Sequence, residues 1–331
     1  WKDVPRAVPY ATLAIGVLVL VDLWSVGRRY LDETNFVPTQ PDQSFSMTEA
    51  DRSILAQSRA EGDTLRAYRV LNLSGTFSDN QTPYFHRSVG GYHPAKLRRY
   101  QDLIDFHLNN EINAIITAFQ ALDPSSDPTD VFRRTPVLNL LNTRYVIYNP
   151  EQPPLRNPHA LGEAWFVDRV EYVPGADEEI LALASDSLGS VAVVRQGYRE
   201  SLEGLEASAE SSAGPSASDD PARIRLTSYR PHHLIYETST PVERLAVFSE
   251  IHYQPGWNAY VDGERADHLR VDWTLRGLRV PAGEHTVEFR FEPDHMVAAY
   301  RFGSAASIAV LLLFGGLLLQ AARREWEAGR A

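Results

Sequence analysis

The sequence predicts a membrane-anchored α+β chain in which two transmembrane helices flank an α+β module and an antiparallel β-sandwich module. Three observations carry that expectation. Residues 302–322, FGSAASIAVLLLFGGLLLQAA, hold no charged side chain, and a helix of that length, rising about 1.5 Å per residue, crosses a hydrocarbon layer of roughly 30 Å. Residues 7–26 are almost as apolar. From Ala222 onward apolar residues recur at every second position, whereas residues 27–199 mix that period with helical spacing. The mean hydropathy of −0.29 is that of a soluble chain only because it averages two environments.

The first span reads AVPYATLAIGVLVLVDLWSV, interrupted by Pro9 and Asp22 and closed by Arg28 and Arg29. Asp22 lies near its end, where a carboxylate reaches the interface at lower cost, and Trp24 and Tyr30 suit headgroup depth. A secretory signal competes for this segment. No small-residue cleavage site follows and the chain does not begin with Met, so the expectation is one span of a larger membrane protein.

Beyond it, Ser46 to Glu49 is a capping-box pattern that opens a helix towards Arg59, and Leu65–Leu73 alternates as a strand. Pro94 starts a helix whose Leu97, Tyr100, Ile104 and Leu108 share a face, extended by Ile112, Ile115, Ile116, Phe119 and Leu122. Arg144–Tyr148, Trp165–Val173 and Val191–Val194 read as strands, and Glu178–Ala184 as a helix. Residues 200–221, almost all Ser, Ala, Glu, Gly and Asp, bury too little to order themselves and read as a linker. In 222–294, Leu234 and Tyr236, then Leu245, Val247, Ser249 and Ile251, then Val287, Phe289 and Phe291 alternate with polar residues. With turns at Asp262-Gly263 and Pro281–Gly283, this pattern predicts antiparallel strands with one buried face each. The last strand runs almost directly into the span 302–322, which Arg323 and Arg324 end, leaving 323–331 as a tail.

Composition narrows the function. With 32 Lys+Arg against 43 Asp+Glu, a net charge of −11 excludes nucleic-acid binding by bulk charge. The absence of cysteine removes disulfide scaffolds, zinc ribbons, iron–sulfur sites and thiol nucleophiles. Neither H-E-x-x-H nor G-x-S-x-G occurs, and the adjacent His232 and His233 point to opposite strand faces, so neither a metal nor a cofactor is expected. Asn72-Leu-Ser and Asn80-Gln-Thr match the glycosylation sequon, as chance matches often do. Trp257 and Tyr260 read as sandwich core rather than a sugar-stacking surface. Basic residues beside the spans are divided too evenly to orient them.

The densest polar stretch runs from Tyr84 to Tyr100. It gathers His86, Arg87, Tyr92, His93, Lys96 and Arg99 around a Gly90-Gly91 turn that leads into a helix start. Glycines let backbone approach a ligand, and free N–H groups at a helix start attract anions, so a phosphate or acidic sugar is one candidate occupant. It is not a P-loop, because no second glycine precedes Lys96 and no Ser or Thr follows it. The plainer reading, a tight turn and then a solvated helix face with Arg98 and Asp102 paired four apart, is favoured.

The runs TPYFHRSVGGYHPAKLRRYQDLID (Thr82–Asp105), LNLLNTRYVIYNP (Leu138–Pro150), AWFVDRVEYV (Ala164–Val173) and YQPGWNAYVDG with VPAGEHTVEFRFEP (within Tyr253–Pro293) resemble the YfhO family of multi-span bacterial membrane proteins. The resemblance covers most of the chain. It implies a parent resembling C-type glycosyltransferases in the bacterial plasma membrane, taking a polyprenyl-phosphate sugar donor outside the cytoplasm. This chain is then the C-terminal portion, with its large region extracytoplasmic and 323–331 cytoplasmic. The family's catalytic acidic residue is expected between early helices that this chain lacks, so none is assigned here. The expected role is accessory, positioning an envelope glycan acceptor beside the bilayer. The alternative is a non-catalytic module that binds envelope glycan or a partner protein.

Overall fold

The computed structural model describes residues 7–30, 45–120, 127–205 and 222–328. Leu122, residues 206–221 of the expected linker and residues 329–331 of the expected tail lie outside the described residues. The architecture is α+β, with antiparallel sheets and one long apolar helix near each end. Residues 1–46 and 47–331 are separate compact units. In the first, α1 (Ala7–Tyr30) carries Arg28 and Arg29 in its last turn, and its large apolar side chains from Tyr10 to Tyr30 are exposed.

The second unit opens with α2 (Glu49–Ala60), capped by Thr48 and Asp51 rather than by Ser46 and Glu49: Asp51 N–H donates to the Thr48 hydroxyl at 3.2 Å and Thr48 N–H to the Asp51 carboxylate at 2.9 Å. An Asp at the third helical position closes the same reciprocal box as a Glu. Strand β1 (Arg69–Asn72) is shorter than the alternation predicted, because Arg66 adopts a left-handed φ of 48° that breaks an extended run. It pairs in parallel with β2 (Thr143–Ile147), which pairs antiparallel with β3 (Leu155–Arg156). The short α3 (Gln81–Phe85) follows β1. A continuous helix comprises α4 (Arg98–Leu103), a π-helical turn at Ile104–Leu108 and α5 (Asn109–Gln120). It begins later than Pro94, since Leu97 is an extended N-cap. The short α6 (Pro136–Leu140) precedes β2.

The expected strand Trp165–Val173 is two strands. β4 (Ala164–Phe166) and β5 (Arg169–Val173) part at Val167 and Asp168 and enter different sheets. β5, α7 (Ala176–Ala182) and β6 (Val191–Arg195) form a right-sized βαβ unit with parallel strands. Residues 200–205, assigned to the linker, are folded, with Leu202 and Leu205 buried in the main core. After the linker come β7 (Arg223–Arg230), β8 (His233–Thr240), β9 (Arg244–Ile251), β10 (Trp257–Val261), β11 (Glu264–Ala266), β12 (His268–Val271), β13 (Leu275–Val280) and β14 (Gly283–Phe291). The order β11-β10-β14-β8-β7 makes a five-stranded antiparallel sheet, and β12-β13-β9-β4 a four-stranded one. Asp262 and Gly263 both take left-handed φ, 51° and 82°, as a two-residue hairpin turn requires.

The four-stranded sheet is buried on both faces. Leu245, Val247, Leu269, Val271 and Leu275 pack into a core shared with α4–α7 and β6, while Ala246, Phe248, Leu278 and Val280 pack with Tyr236, Val287 and Phe289 of the five-stranded sheet. Two residues after β14 ends, α8 (Asp294–Ala328) begins, 35 residues long with its apolar side chains exposed.

Glu111, 7% exposed, caps α6 by accepting from Val137 N–H and Leu138 N–H, each at 2.9 Å. Burial outweighs those two donors and pushes its carboxyl from 4.5 up to about 7. The folded state therefore holds the proton more tightly than the unfolded chain. This contribution to stability is complete below 4.5 and lost as pH rises through about 7. Urea unfolding at stepped pH is expected to show a fall of the order of 2 kcal/mol across that window, and Glu111→Gln to flatten it.

Candidate functional site

The stretch from Tyr84 to Tyr100 is built around β1. Asp79 accepts from Gln81 N–H and Thr82 N–H at 2.7 and 3.1 Å to start α3, and Asn72, one of the two sequon asparagines, donates to Asp79 and Thr82. Past α3 the chain lies against β1: Val70 N–H donates to Arg87 C=O at 2.7 Å and Val89 N–H to Val70 C=O at 3.0 Å.

That course fixes the fate of each predicted residue. His86 Nε2 meets the Asp51 carboxylate at 3.0 Å with both side chains almost fully buried, 2% and 3% exposed. Burial would raise the Asp51 carboxyl, but hydrogen bonds from His86 and Thr48 hold it below the usual range. Arg87 donates to Ala67 C=O at 2.8 Å and to Glu250 at 2.5 Å, and its guanidinium covers the Tyr229 ring at 4.5 Å. Both side chains are consumed in joining α2, β1 and β9.

The glycine pair answers to the chain rather than to a ligand. A Cβ on Gly90 would sit 1.9 Å from the Thr76 carbonyl oxygen, and one on Gly91, whose φ is +106°, 2.8 Å from the Pro83 ring. Gly91 N–H donates to Thr76 C=O at 2.7 Å. Tyr92 is exposed, and so is His93, whose Nδ1 accepts from Ala95 N–H at 3.0 Å. Lys96 reaches Gln101 at 3.4 Å and lies 5.4 Å from the Phe77 ring centroid. Arg98 and Asp102 pair at 2.9 Å on the solvated face, as the plainer reading expected.

Arg99 turns elsewhere, into a constellation that the sequence reading did not single out. Its guanidinium lies 5.0 Å from the centroid of Trp273, and its carbonyl accepts from the Trp273 indole N–H at 2.8 Å. Trp273 and Asp272 form the β12–β13 turn with left-handed φ of 66° and 48°, a strained conformation for residues other than glycine. Four hydrogen bonds hold it: the indole bond to Arg99, Trp273 N–H to Glu179 at 3.2 Å, Asp272 N–H to Val193 C=O at 2.9 Å, and Val193 N–H to the Asp272 carboxyl at 2.7 Å. Glu179 on α7 is fully buried and accepts from Arg195 at 2.6 Å and Arg270 at 2.9 Å. Burial pushes the Asp272 carboxyl up to about 8, above its ordinary 3.8, and the Glu179 charge adds to this against the Val193 N–H. Burial, with His268 and the guanidiniums of Arg270, Arg276 and Arg99, pushes the nearby His252 down to about 3. Its imidazole is neutral at physiological pH.

Trp257 packs against the inter-sheet cluster under the Arg276 guanidinium at 4.1 Å, as a core residue does. Tyr260, expected in the core, lies outside that cluster and donates to Glu292 at 2.7 Å beneath Arg290. Among the described residues, no group of three or more His, Asp or Glu side chains is arranged to hold a metal ion. Comparison with known proteins returns no match among family models, curated proteins or solved structures.

Gly90→Ala is expected to destabilise the chain by about 3 kcal/mol, because the added methyl meets fixed backbone. Gly197→Ala, with nothing within 4 Å of its added Cβ, is expected to stay within about 0.5 kcal/mol of the parent. Urea midpoints of the two variants measure the contrast.

Proposed function

We propose that the chain is the membrane-tethered, extracytoplasmic portion of a larger YfhO-like bacterial membrane protein. Its folded unit positions an envelope glycan acceptor beside a core that uses a polyprenyl-phosphate sugar. The observation that carries the tether is α8. Its 35 residues reach about 50 Å, more than the roughly 30 Å of a hydrocarbon layer, and its apolar side chains have no protein neighbour to cover them. Tyr300 and Arg301 precede the uncharged run and Arg323 and Arg324 follow it, the arrangement that interfaces favour. Because α8 starts two residues after β14, the tether holds the paired sheets at the bilayer surface. The buried cluster common to the two antiparallel sheets supports reading them as a β-sandwich.

The accessory role rests on the resemblance of Thr82–Asp105 and Tyr253–Pro293 to the family and on the employment of the polar residues. His86, Arg87, Gly90 and Gly91 serve the fold, which leaves this portion to bind and orient rather than to react. The same observation favours a second reading, in which the parent transfers nothing and the unit is solely a glycan- or partner-binding module.

The 331 residues of this chain hold no cysteine, so single cysteines introduced into it report its topology. In intact bacterial cells, Glu284→Cys is expected to react with a membrane-impermeant maleimide, Ala328→Cys to react only after lysis, and Ser307→Cys to stay unreactive until detergent is added. Labelling of Ser307→Cys at the rate of Glu284→Cys overturns the tether, and protection of Glu284→Cys in intact cells overturns the sidedness. Sugar transfer by the full-length parent from a polyprenyl-phosphate donor separates the first reading from the second.

A further inference from the structure

Around Trp273 the fold gathers more positive charge than it neutralises. Three guanidiniums, from Arg99 on α4, Arg195 on β6 and Arg270 on β12, act on one another, as the direction of the Arg99 shift records: burial first, then Arg270 and Arg195, draw its pKa down. Two carboxyl groups lie among them. Asp272, pushed up to about 8, is mainly protonated at neutral pH. Glu179 is the remaining counter-charge, and its oxygens are already taken by Arg195, Arg270 and Trp273 N–H. Arg99 makes no ion pair among the described residues, and its Nη1 and the Nε of Arg270 are buried without a hydrogen-bond partner.

A buried guanidinium nitrogen without a hydrogen-bond partner is costly, and an incoming acceptor would complete it. Access is available: the Arg195 side chain is 27% exposed and Arg99 is half-buried. Both guanidinium carbons lie within 5.6 Å of the centroid of the same buried indole, which brings the two forks together at the edge of the core. The backbone strain at Trp273, held by bonds from three other elements, keeps the indole beneath them in place.

We infer that Arg99, Arg195 and Arg270 around Trp273 form an oxyanion site that takes the phosphate or carboxylate group of a saccharide, an assignment of ligand that rests on the acceptor-positioning role proposed above. Three cations against one carboxylate leave an excess that a single dianion cancels. Planar guanidinium forks suit phosphate and carboxylate oxygens in pairs, and the buried indole serves as the support on which Arg99 and Arg195 rest. A polar concavity of about 520 Å³ between β7, β8 and β14 does not have this imbalance: Arg225 pairs with Glu237 and His285 with Asp262, each at 2.6 Å.

The test uses the full chain in detergent, titrated with inorganic phosphate, glucose 1-phosphate, galacturonate and glucose at constant ionic strength, followed by calorimetry and tryptophan fluorescence. Saturable one-site binding of at least one anion, without glucose binding, is expected. Loss of one paired charge-assisted contact in Arg99→Gln is expected to weaken it about tenfold or more. Arg99→Lys, which keeps the charge and loses the fork, is expected to fall between. Arg98→Gln, on the solvated face, is expected to bind as the parent does. The urea midpoint of Arg99→Gln without anion is expected at or above the parent's, because a repelled cation has gone, and this shows that the variant is folded. Binding of the phosphates alone identifies a phosphorylated saccharide, and binding of galacturonate an acidic sugar. Failure of every anion to saturate the parent, or unaltered affinity in Arg99→Gln or Arg99→Lys, overturns the site. The labelling of Glu284→Cys and Ser307→Cys is independent of these results, so the tether and the site fail separately.

Discussion

The four-stranded sheet, buried on both faces, is the constraint on which the second unit depends. An antiparallel sheet usually turns one face to water, and its strands then alternate apolar with polar. β9 does not: Leu245 and Val247 serve one core while Ala246 and Phe248 serve the other, so the strand reads as a nearly continuous apolar run. A one-residue slip of β9 would exchange the two sets and misfit both cores at once. β4, which is separated from β9 by some 80 residues of chain, completes this sheet, so the helical part and the strand-rich part cannot be taken apart without exposing an edge.

Buried arginines stitch the same wall to its neighbours. Arg69, 6% exposed, donates to Leu141 C=O at 2.6 Å and to the Ser249 hydroxyl and carbonyl at 3.0 and 2.9 Å, tying β1 and the end of α6 to β9. Arg87 joins Glu250 on that strand, and Arg276 lies over the Trp257 and Phe289 rings. Carbonyls and aromatic faces meet these cations where carboxylates are few, although Arg276 Nη1 is left without a hydrogen-bond partner. This demand explains why the polar run at Tyr84–Tyr100 is not a surface patch. Within it His86 turns inward to Asp51 of α2 and Arg87 to Glu250 of β9.

Local periodicity made some of this readable from the sequence and hid the rest. β7, β8 and β14 alternate because one side is wet, and the pattern at Leu234, Tyr236, Val287 and Phe289 identifies their inner faces directly. The two long apolar helices are legible for the same reason, since composition alone defines them. Trp165–Val173 reads as one strand because its alternation continues through Asp168, although the chain there leaves one sheet for another, with Asp168 N–H bonded to Ser190 C=O at 2.7 Å. The Gly90-Gly91 turn was visible, but its cause, the carbonyl of Thr76, is tertiary. The constellation at Trp273 was not visible at all. Its parts lie at 99, 179, 195 and 270–273, on four elements, and neither spacing nor motif relates them.

That turn exists because the wall has two faces. β12 and β13 direct Leu269, Val271 and Leu275 into the helical core, so the turn joining them is driven into protein rather than out to solvent. A turn so placed must hydrogen-bond to whatever surrounds it, and here that is Val193, Glu179 and the carbonyl of Arg99. Glu179 then needs cations to offset its own burial, and Arg195 and Arg270 supply them. Two guanidiniums against that one carboxylate already leave a net positive charge. The third guanidinium, Arg99, adds to that excess without an ion pair among the described residues, and the bond of its carbonyl to the indole does not depend on its charge. The fold accounts for two of the three arginines, and the unmet charge of the third is what an incoming anion would complete.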